Sequence, residues 1–223
     1  MKLSHPNLSG YLLDNSFTCV EWIIESQGLF TKYVKELICQ INKGYGQFVL
    51  SDSEKDIPLS KSTDIILNPF AISPNDKRIL TKLYSDLENV ALGENMYVET
   101  VKISNSVYKY LSDIEFNSDY TLSFDNDMNI QGLFKIMNVH YEEPNESFLE
   151  RLSHYIRIIA SVLKVKFIIL VNIRSFLTDE ETGILIEECS MQDIQIMLIE
   201  STERKRLTNT KRYIIDKDQC EIF

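Results

Sequence analysis

Glycine and proline are scarce in this chain, 7 and 5 of 223 residues, and they form no run. That leaves no flexible linker, low-complexity stretch or repeat, so whatever parts the chain has are expected to pack together. The four cysteines, Cys19, Cys39, Cys189 and Cys220, lie far apart with no C-x-x-C pair. Such spacing argues against a zinc site or a disulfide framework and for reduced, mostly buried thiols in a cytoplasmic protein. No apolar run approaches a membrane span; the densest, Phe167–Val171, has the length of a strand. The opening residues 1–7 (MKLSHPN) lack the apolar segment of a secretory signal. His5, His140 and His154 have no partner at metal-binding or triad spacing, and H-E-x-x-H, G-x-S-x-G and a glycine-rich dinucleotide loop are all missing. Enzyme chemistry has little to stand on.

Positive charge is also short: 23 Lys and Arg against 33 Asp and Glu give a net charge of -10. This excludes a uniformly basic DNA-binding surface. An acidic chain still binds nucleic acid if one face or an assembled channel gathers its cations. Only the tail is basic, through Arg204-Lys205-Arg206 and Lys211-Arg212. With 44% apolar residues, the chain has material for one large domain or two small ones.

What is present is an alternation of strands and helices at the two ends. Residues 17–24 (FTCVEWII) read as a buried strand, and 29–42 place Phe30, Tyr33, Val34, Leu37, Ile38 and Ile41 at helical spacing. Short strands are predicted at 47–50 and 64–68, a core strand at 165–171 (VKFIILV), and another at 194–199. Thr178-Asp179-Glu180-Glu181 is a capping box that starts a helix running to about Ser190. Strands alternating with helices predict an α/β fold with a mostly parallel sheet. Between the ends the pattern is helical. One helix is capped by Ser73 and Pro74 and ended by Gly93, a second spans roughly 97–111, a short third follows Asp125, and a long fourth opens at Pro144. The resulting division is a first α/β part over 1–68, a helical insertion over 69–163, and a second α/β part over 164–223.

The strand–turn–helix at 17–42 is built like a nucleotide-binding unit, which would aim amides and the positive end of the helix dipole at a phosphate. Its turn, Glu25-Ser26-Gln27-Gly28-Leu29-Phe30-Thr31-Lys32, has one glycine, no Gly-Lys-Ser/Thr, and a glutamate where the phosphate belongs. Asn172 ends the core strand where many nucleotide hydrolases carry a magnesium-binding aspartate; an amide has no charge to offer a hard cation. The expectation is a scaffold without bound nucleotide and without catalysis.

Two sets of residues remain as candidate sites. Asp125-x-Asp127-x-Asn129 begins like an EF-hand loop, but Ile130 replaces the turn glycine and Ile136 the bidentate glutamate. The acids then read either as a helix cap with solvated neighbours, or as a different calcium site in which Asp125 or Asp127 faces Glu142 or Glu143. The cations Lys77, Arg78, Lys82, Lys102, Lys109 and Lys135 recur through the helical insertion, either to solubilise exposed faces or to meet phosphate. The aromatics Tyr84, Tyr97, Tyr108 and Phe134 fall in apolar patterns and are expected in the core. The loop Arg204–Arg206 follows a strand and could meet phosphate, a neighbouring subunit or water.

Several segments taken together resemble a known family. They are Asp64-Ile65-Ile66 leading into ILTKLYSDLE (79–88), LSFD (122–125) before the Lys135 helix, FIILVNIRSFLTDEE (167–181), MLIES (197–201) and RYIIDKD (212–218). In order and spacing they are similar to the small adaptation protein of type II-A CRISPR systems. The resemblance implies an α/β head like a degenerate nucleotide-binding fold, an inserted helical leg, and no catalysis. It implies a homotetrameric ring that threads double-stranded DNA ends through a basic hole, with calcium stabilising the assembly. It also implies a role in spacer acquisition beside the CRISPR integrase and the effector nuclease. Asp125 and Glu142 match acidic positions of the family's leg, and Lys32 and Lys135 match basic ones. Ser123 and Gln131 stand where acids are expected, and Asp127 and Glu143 are the candidate substitutes. A nucleotide-dependent switch or hydrolase with an unorthodox loop, and a scaffold that recruits proteins through its basic tail, are the competing readings.

Overall fold

Strand residues that are apolar on both sides must be covered on both faces, and the main sheet is built of such strands. The computed structural model describes all residues except 15, 53–54, 126, 144–146 and 223. In chain order it contains strands β1 (Lys2–Ser4) and β2 (Cys19–Ile24), helix α1 (Gln27–Lys43), strands β3 (Val49–Asp52) and β4 (Lys55–Ile57), helix α2 (Leu59–Ser62) and strand β5 (Thr63–Ile66). There follow helices α3 (Lys77–Ala91), α4 (Tyr97–Phe116), α5 (Ile130–Ile136) and α6 (Phe148–Leu163), strand β6 (Phe167–Val171), helix α7 (Asp179–Met191), and strands β7 (Gln195–Glu200), β8 (Thr210–Ile215) and β9 (Glu221–Ile222).

The six-stranded sheet has the order β5-β6-β7-β2-β8-β9, parallel except for β9. The fold is α/β with a mostly parallel sheet, as the alternation of elements predicts. A separate antiparallel sheet, β1-β3-β4, holds the segment expected near 47–50. That segment therefore does not join the main sheet, and its partners β1 and β4 carry no pattern of their own.

One sheet face presents Val20, Trp22, Ile24, Phe167, Ile169, Val171, Met197 and Ile199, packed against Tyr33, Leu37 and Ile41 of α1. Each such buried aliphatic side chain contributes about 1.5–3 kcal/mol. The helix ends at Gly44, whose φ of 77° is the left-handed conformation that closes a helix at little cost in glycine. The opposite face carries Ile23, Ile168, Leu170, Ile196 and Leu198, also fully buried. There α6 reaches the sheet, its Tyr155 hydroxyl donating to Asp64 Oδ2 of β5 at 3.2 Å.

The chain divides into two compact units, residues 1–74 with 144–223, and residues 75–143. The inserted unit is thus narrower than the span 69–163 read from sequence. The long helix expected in the insertion belongs to the sheet unit, because Leu152, Tyr155, Ile156 and Ile159 bury an apolar face there. A capping box of Ser147 and Glu150 starts it; Pro144, expected to open it, lies outside the described residues. In the other unit, α3 starts at Asp76, whose carboxylate accepts from Arg78 and Ile79 N–H, and not at Ser73 or Pro74. A carboxylate serves two orphan amides at once and supplies the negative charge the helix start favours. Helix α4 runs to Phe116, beyond its expected end near 111. The capping box at Thr178 and Glu181 is formed as read.

Candidate nucleic-acid interface and metal site

The turn in which a phosphate loop is looked for is short and tied to the end of β8. Between β2 and α1 only Glu25 and Ser26 intervene, and the Glu25 N–H already donates to Ile215 O at 2.8 Å. Lys32 therefore belongs to α1, not to a loop; it is exposed, with its ammonium over the Tyr33 ring at 5.2 Å. Asn172, in the magnesium-aspartate position, has φ 53° and accepts from Ser201 N–H through Oδ1 at 3.0 Å. Its amide ties the ends of β6 and β7 together.

Beside it lies a buried ionic network that no sequence pattern above anticipates. Glu21, in the middle of β2, is fully buried and accepts from Arg212 Nε at 2.8 Å and Nη2 at 2.5 Å, and from Arg174 Nη1 at 3.4 Å. Arg174 Nη2 also donates to Asp179 at 2.6 Å and to the Lys205 carbonyl at 2.7 Å. The Arg174 N–H meets Glu200 Oε1 at 3.1 Å. Burial pushes the Glu200 carboxyl up to about 7, against the opposing pull of the Arg174 N–H and the nearby guanidiniums. The hydrogen bond from Arg174 holds Asp179 below the usual carboxylate range. Arg212 Nη2 donates to the Arg204 carbonyl at 3.0 Å, and Leu207 N–H to Glu21 at 3.3 Å. The basic loop Arg204–Arg206 is therefore pinned through its backbone, with its side chains left exposed. The available signal was a glutamate inside the apolar run CVEWII: a charge in a doubly covered strand requires a buried partner.

Burial also disposes of the thiols. Cys19 is pushed well upward and Cys189 up to about 12, so neither is a thiolate near neutrality. Cys39 is half-buried and Cys220 exposed; all four are free.

The candidate cations are all exposed. Arg78 and Lys82, one turn apart on α3, turn away from its buried residues Ile79 and Tyr84. Lys102 and Lys109, two turns apart, share the outer side of α4. Several have local acidic neighbours: Arg78 pairs with Asp76 at 3.3 Å, Lys82 with Asp86, and Lys102 with Glu99 at 2.7 Å. Exposed pairs of this kind are worth about 0–1 kcal/mol, so an incoming phosphate displaces them easily. Lys77, Lys109 and Lys135 have no acid within ion-pair distance among the described residues. Of the aromatics, Tyr84 is in the core and donates to Val139 O at 2.9 Å. Tyr108 and Phe134 are half-buried, whereas Tyr97 is exposed, contrary to its apolar pattern.

The acids do not form a ready calcium cage. Asp125, Asp127, Glu142 and Glu143 are exposed, and among the described residues no three His, Cys, Asp or Glu side chains gather as a metal would need. Asp127 shares a shallow hollow with Glu88, Tyr97 and Thr100, while Glu143 accepts from Asn75 Nδ2 at 3.1 Å. The cap of α5 is Asn129, which accepts from Gly132 N–H at 2.7 Å, and not Asp125 or Asp127. Among the described residues these four acids are not brought together as a cage.

Comparison with known proteins gives two findings. A family model described as "CRISPR-associated protein (Cas_Csn2)" matches residues 40–219. The CRISPR-associated protein Csn2 of Enterococcus faecalis is 20% identical over 188 residues, covering 83% of this chain and 83% of that protein. Among the described residues no helix is long and apolar enough to cross a membrane.

Proposed function

Since the chain belongs to the Csn2 family of CRISPR-associated proteins, we propose that it is a non-catalytic binder of double-stranded DNA ends that serves spacer acquisition in the cytoplasm. In this reading four copies close into a ring, duplex DNA threads through a basic hole, and the CRISPR integrase and effector nuclease of the same system are its partners. The observation that carries it is the disposition of cations in the unit 75–143. Arg78, Lys82, Lys102, Lys109 and Lys135 are all exposed, and the acids beside Arg78, Lys82 and Lys102 are local and weakly held. Cations kept on outward helix faces suit a phosphate backbone, which a protein engages without reading bases. The closed β2–α1 turn supports the absence of nucleotide chemistry. Calcium enters only at the level of the assembly, where donors from elsewhere would have to complete Asp125, Asp127, Glu142 and Glu143.

A competition assay tests the reading. A linear duplex should outcompete a closed circle of the same sequence, because a ring threads only onto an end. Equal competition would remove threading. Micromolar binding of ATP-Mg in calorimetry without binding of linear duplex would replace the reading with a nucleotide switch.

A further inference from the structure

Strand β8 lies between β2 and the short β9. Alternate residues of a strand direct their main-chain groups to opposite sides. The Ile215 carbonyl accepts from Glu25 N–H on the β2 side, so Thr210, Arg212 and Ile214 face outward. Across that outer edge Ile214 meets Ile222 of β9. Arg212 has no strand opposite it among the described residues, and the outward Thr210 carbonyl accepts from Arg206 Nη2 at 3.3 Å. An edge with open main-chain groups is a template for a further strand.

A hollow of about 340 Å³ adjoins this edge, and its apolar lining is Phe17 (37% exposed), Ile214 and Ile222 (50% exposed). Two of the cations around it are already engaged: Lys211 with Asp14 at 3.0 Å, and Arg212 with Glu21 and Glu203. The loop leading into β8 is different. Arg204, Lys205 and Arg206 are exposed, and among the described residues none has an acid within ion-pair distance. Arg174 and Arg212 hold that loop through the Lys205 and Arg204 carbonyls, so its cations are displayed on a fixed backbone.

We propose that this edge receives an extended acidic segment of a partner protein, which adds as a strand beside β8 in line with β9. Its main chain pairs with Arg212 and Thr210, displacing the long bond from Arg206. Its apolar side chains, on alternate positions, enter the hollow against Phe17, Ile214 and Ile222, and its carboxylates meet the basic loop. Charge selects the occupant. A second copy offering the same edge would set Arg206, Lys211 and Arg212 against themselves. Duplex DNA would use the cations, but its phosphates would leave the apolar hollow and the strand edge unfilled. An acidic strand satisfies all three. The inference goes beyond the ring reading and does not rest on it, since it uses only residues of the sheet unit.

The test uses the full chain and a panel of fluorescein-labelled eight-residue peptides in which Glu alternates with Val, Ile, Leu or Phe. In fluorescence anisotropy at least one should bind in the micromolar range, and its counterpart with Lys in place of Glu should not. N-methylation of alternate amides, made in both registers, should weaken binding at least about tenfold in one register, because one set of amides faces β8. Ile222→Glu puts a charge into the hollow from an exposed position and should also weaken binding at least about tenfold, with unchanged Tm and sedimentation mass. Lys205→Ala with Arg206→Ala should weaken binding and flatten its salt dependence. Failure of every peptide to bind overturns the proposal, as does equal binding of both methylated registers or of Ile222→Glu. A lower mass for Ile222→Glu would make the edge a contact between copies. Loss of linear-duplex binding in the Lys205 and Arg206 variant, with no peptide bound by wild type, would assign the loop to DNA; either result replaces the proposal.

Discussion

Arg174→Met is the most informative perturbation of the sheet unit. Arg174 is 3% exposed, and its guanidinium joins Glu21, Asp179 and the Lys205 carbonyl, while its amide holds Glu200. Methionine fills much of the volume but leaves Glu21 and Asp179 without that cation. Removing one partner of a buried ion pair costs about 3–5 kcal/mol. The lower end applies, because Arg212 still donates twice to Glu21 and the Asp179 side chain is half in water. At about 2–4 °C per kcal/mol for a chain of this size, Tm should fall by about 6–12 °C. The hydrogen bond to the Lys205 carbonyl disappears as well, so limited trypsin digestion should cut at Arg204–Arg206 faster in the variant than in wild type. In the double variant with Glu21→Gln the costs should be less than additive, since the two groups touch. A Tm at or above that of wild type, with unchanged cleavage, would refute the idea that this network holds the basic loop.

Three further outcomes are expected. Glu200 has a folded pKa of about 7 against an ordinary 4.5, so the folded state binds the extra proton. Its contribution to stability is therefore greatest below about 4.5 and declines as pH rises to about 7, by roughly 3 kcal/mol at most; Glu200→Gln should flatten that decline in urea melts at several pH values. Lys82→Ala with Lys109→Ala should weaken duplex binding in fluorescence anisotropy and reduce its salt slope, by about 0.9 for each phosphate no longer neutralised, while Tm moves within about 0.5 kcal/mol equivalent. Calcium should raise Tm and mass in wild type more than magnesium does, and Asp125→Asn with Glu142→Gln should remove most of that effect; chelation that changes neither quantity would leave these acids as a solvated face.

The elements legible in the sequence were those with strong local periodicity or chemistry. FTCVEWII and VKFIILV are apolar almost without interruption and became β2 and β6 of a covered parallel sheet, and Thr178 with Glu181 fixed the start of α7 by a contact three residues apart. The empty phosphate-loop pattern was likewise readable, because that chemistry needs particular residues in one short turn. Segments such as β1, β4 and β9 were not, since two or three residues acquire strand geometry only from a partner strand. The tertiary structure alone decided that α6 belongs to the sheet unit, through the burial of its apolar face. It also brought Glu21, Arg174, Glu200 and Arg212 together from positions up to 191 residues apart. Four candidate carboxylates that looked clustered along the chain were not gathered into a cage, because like charges in water gain nothing by convergence without a cation. Sequence determines which residues must be buried or capped; only the packing of distant strands and helices determines which charges meet.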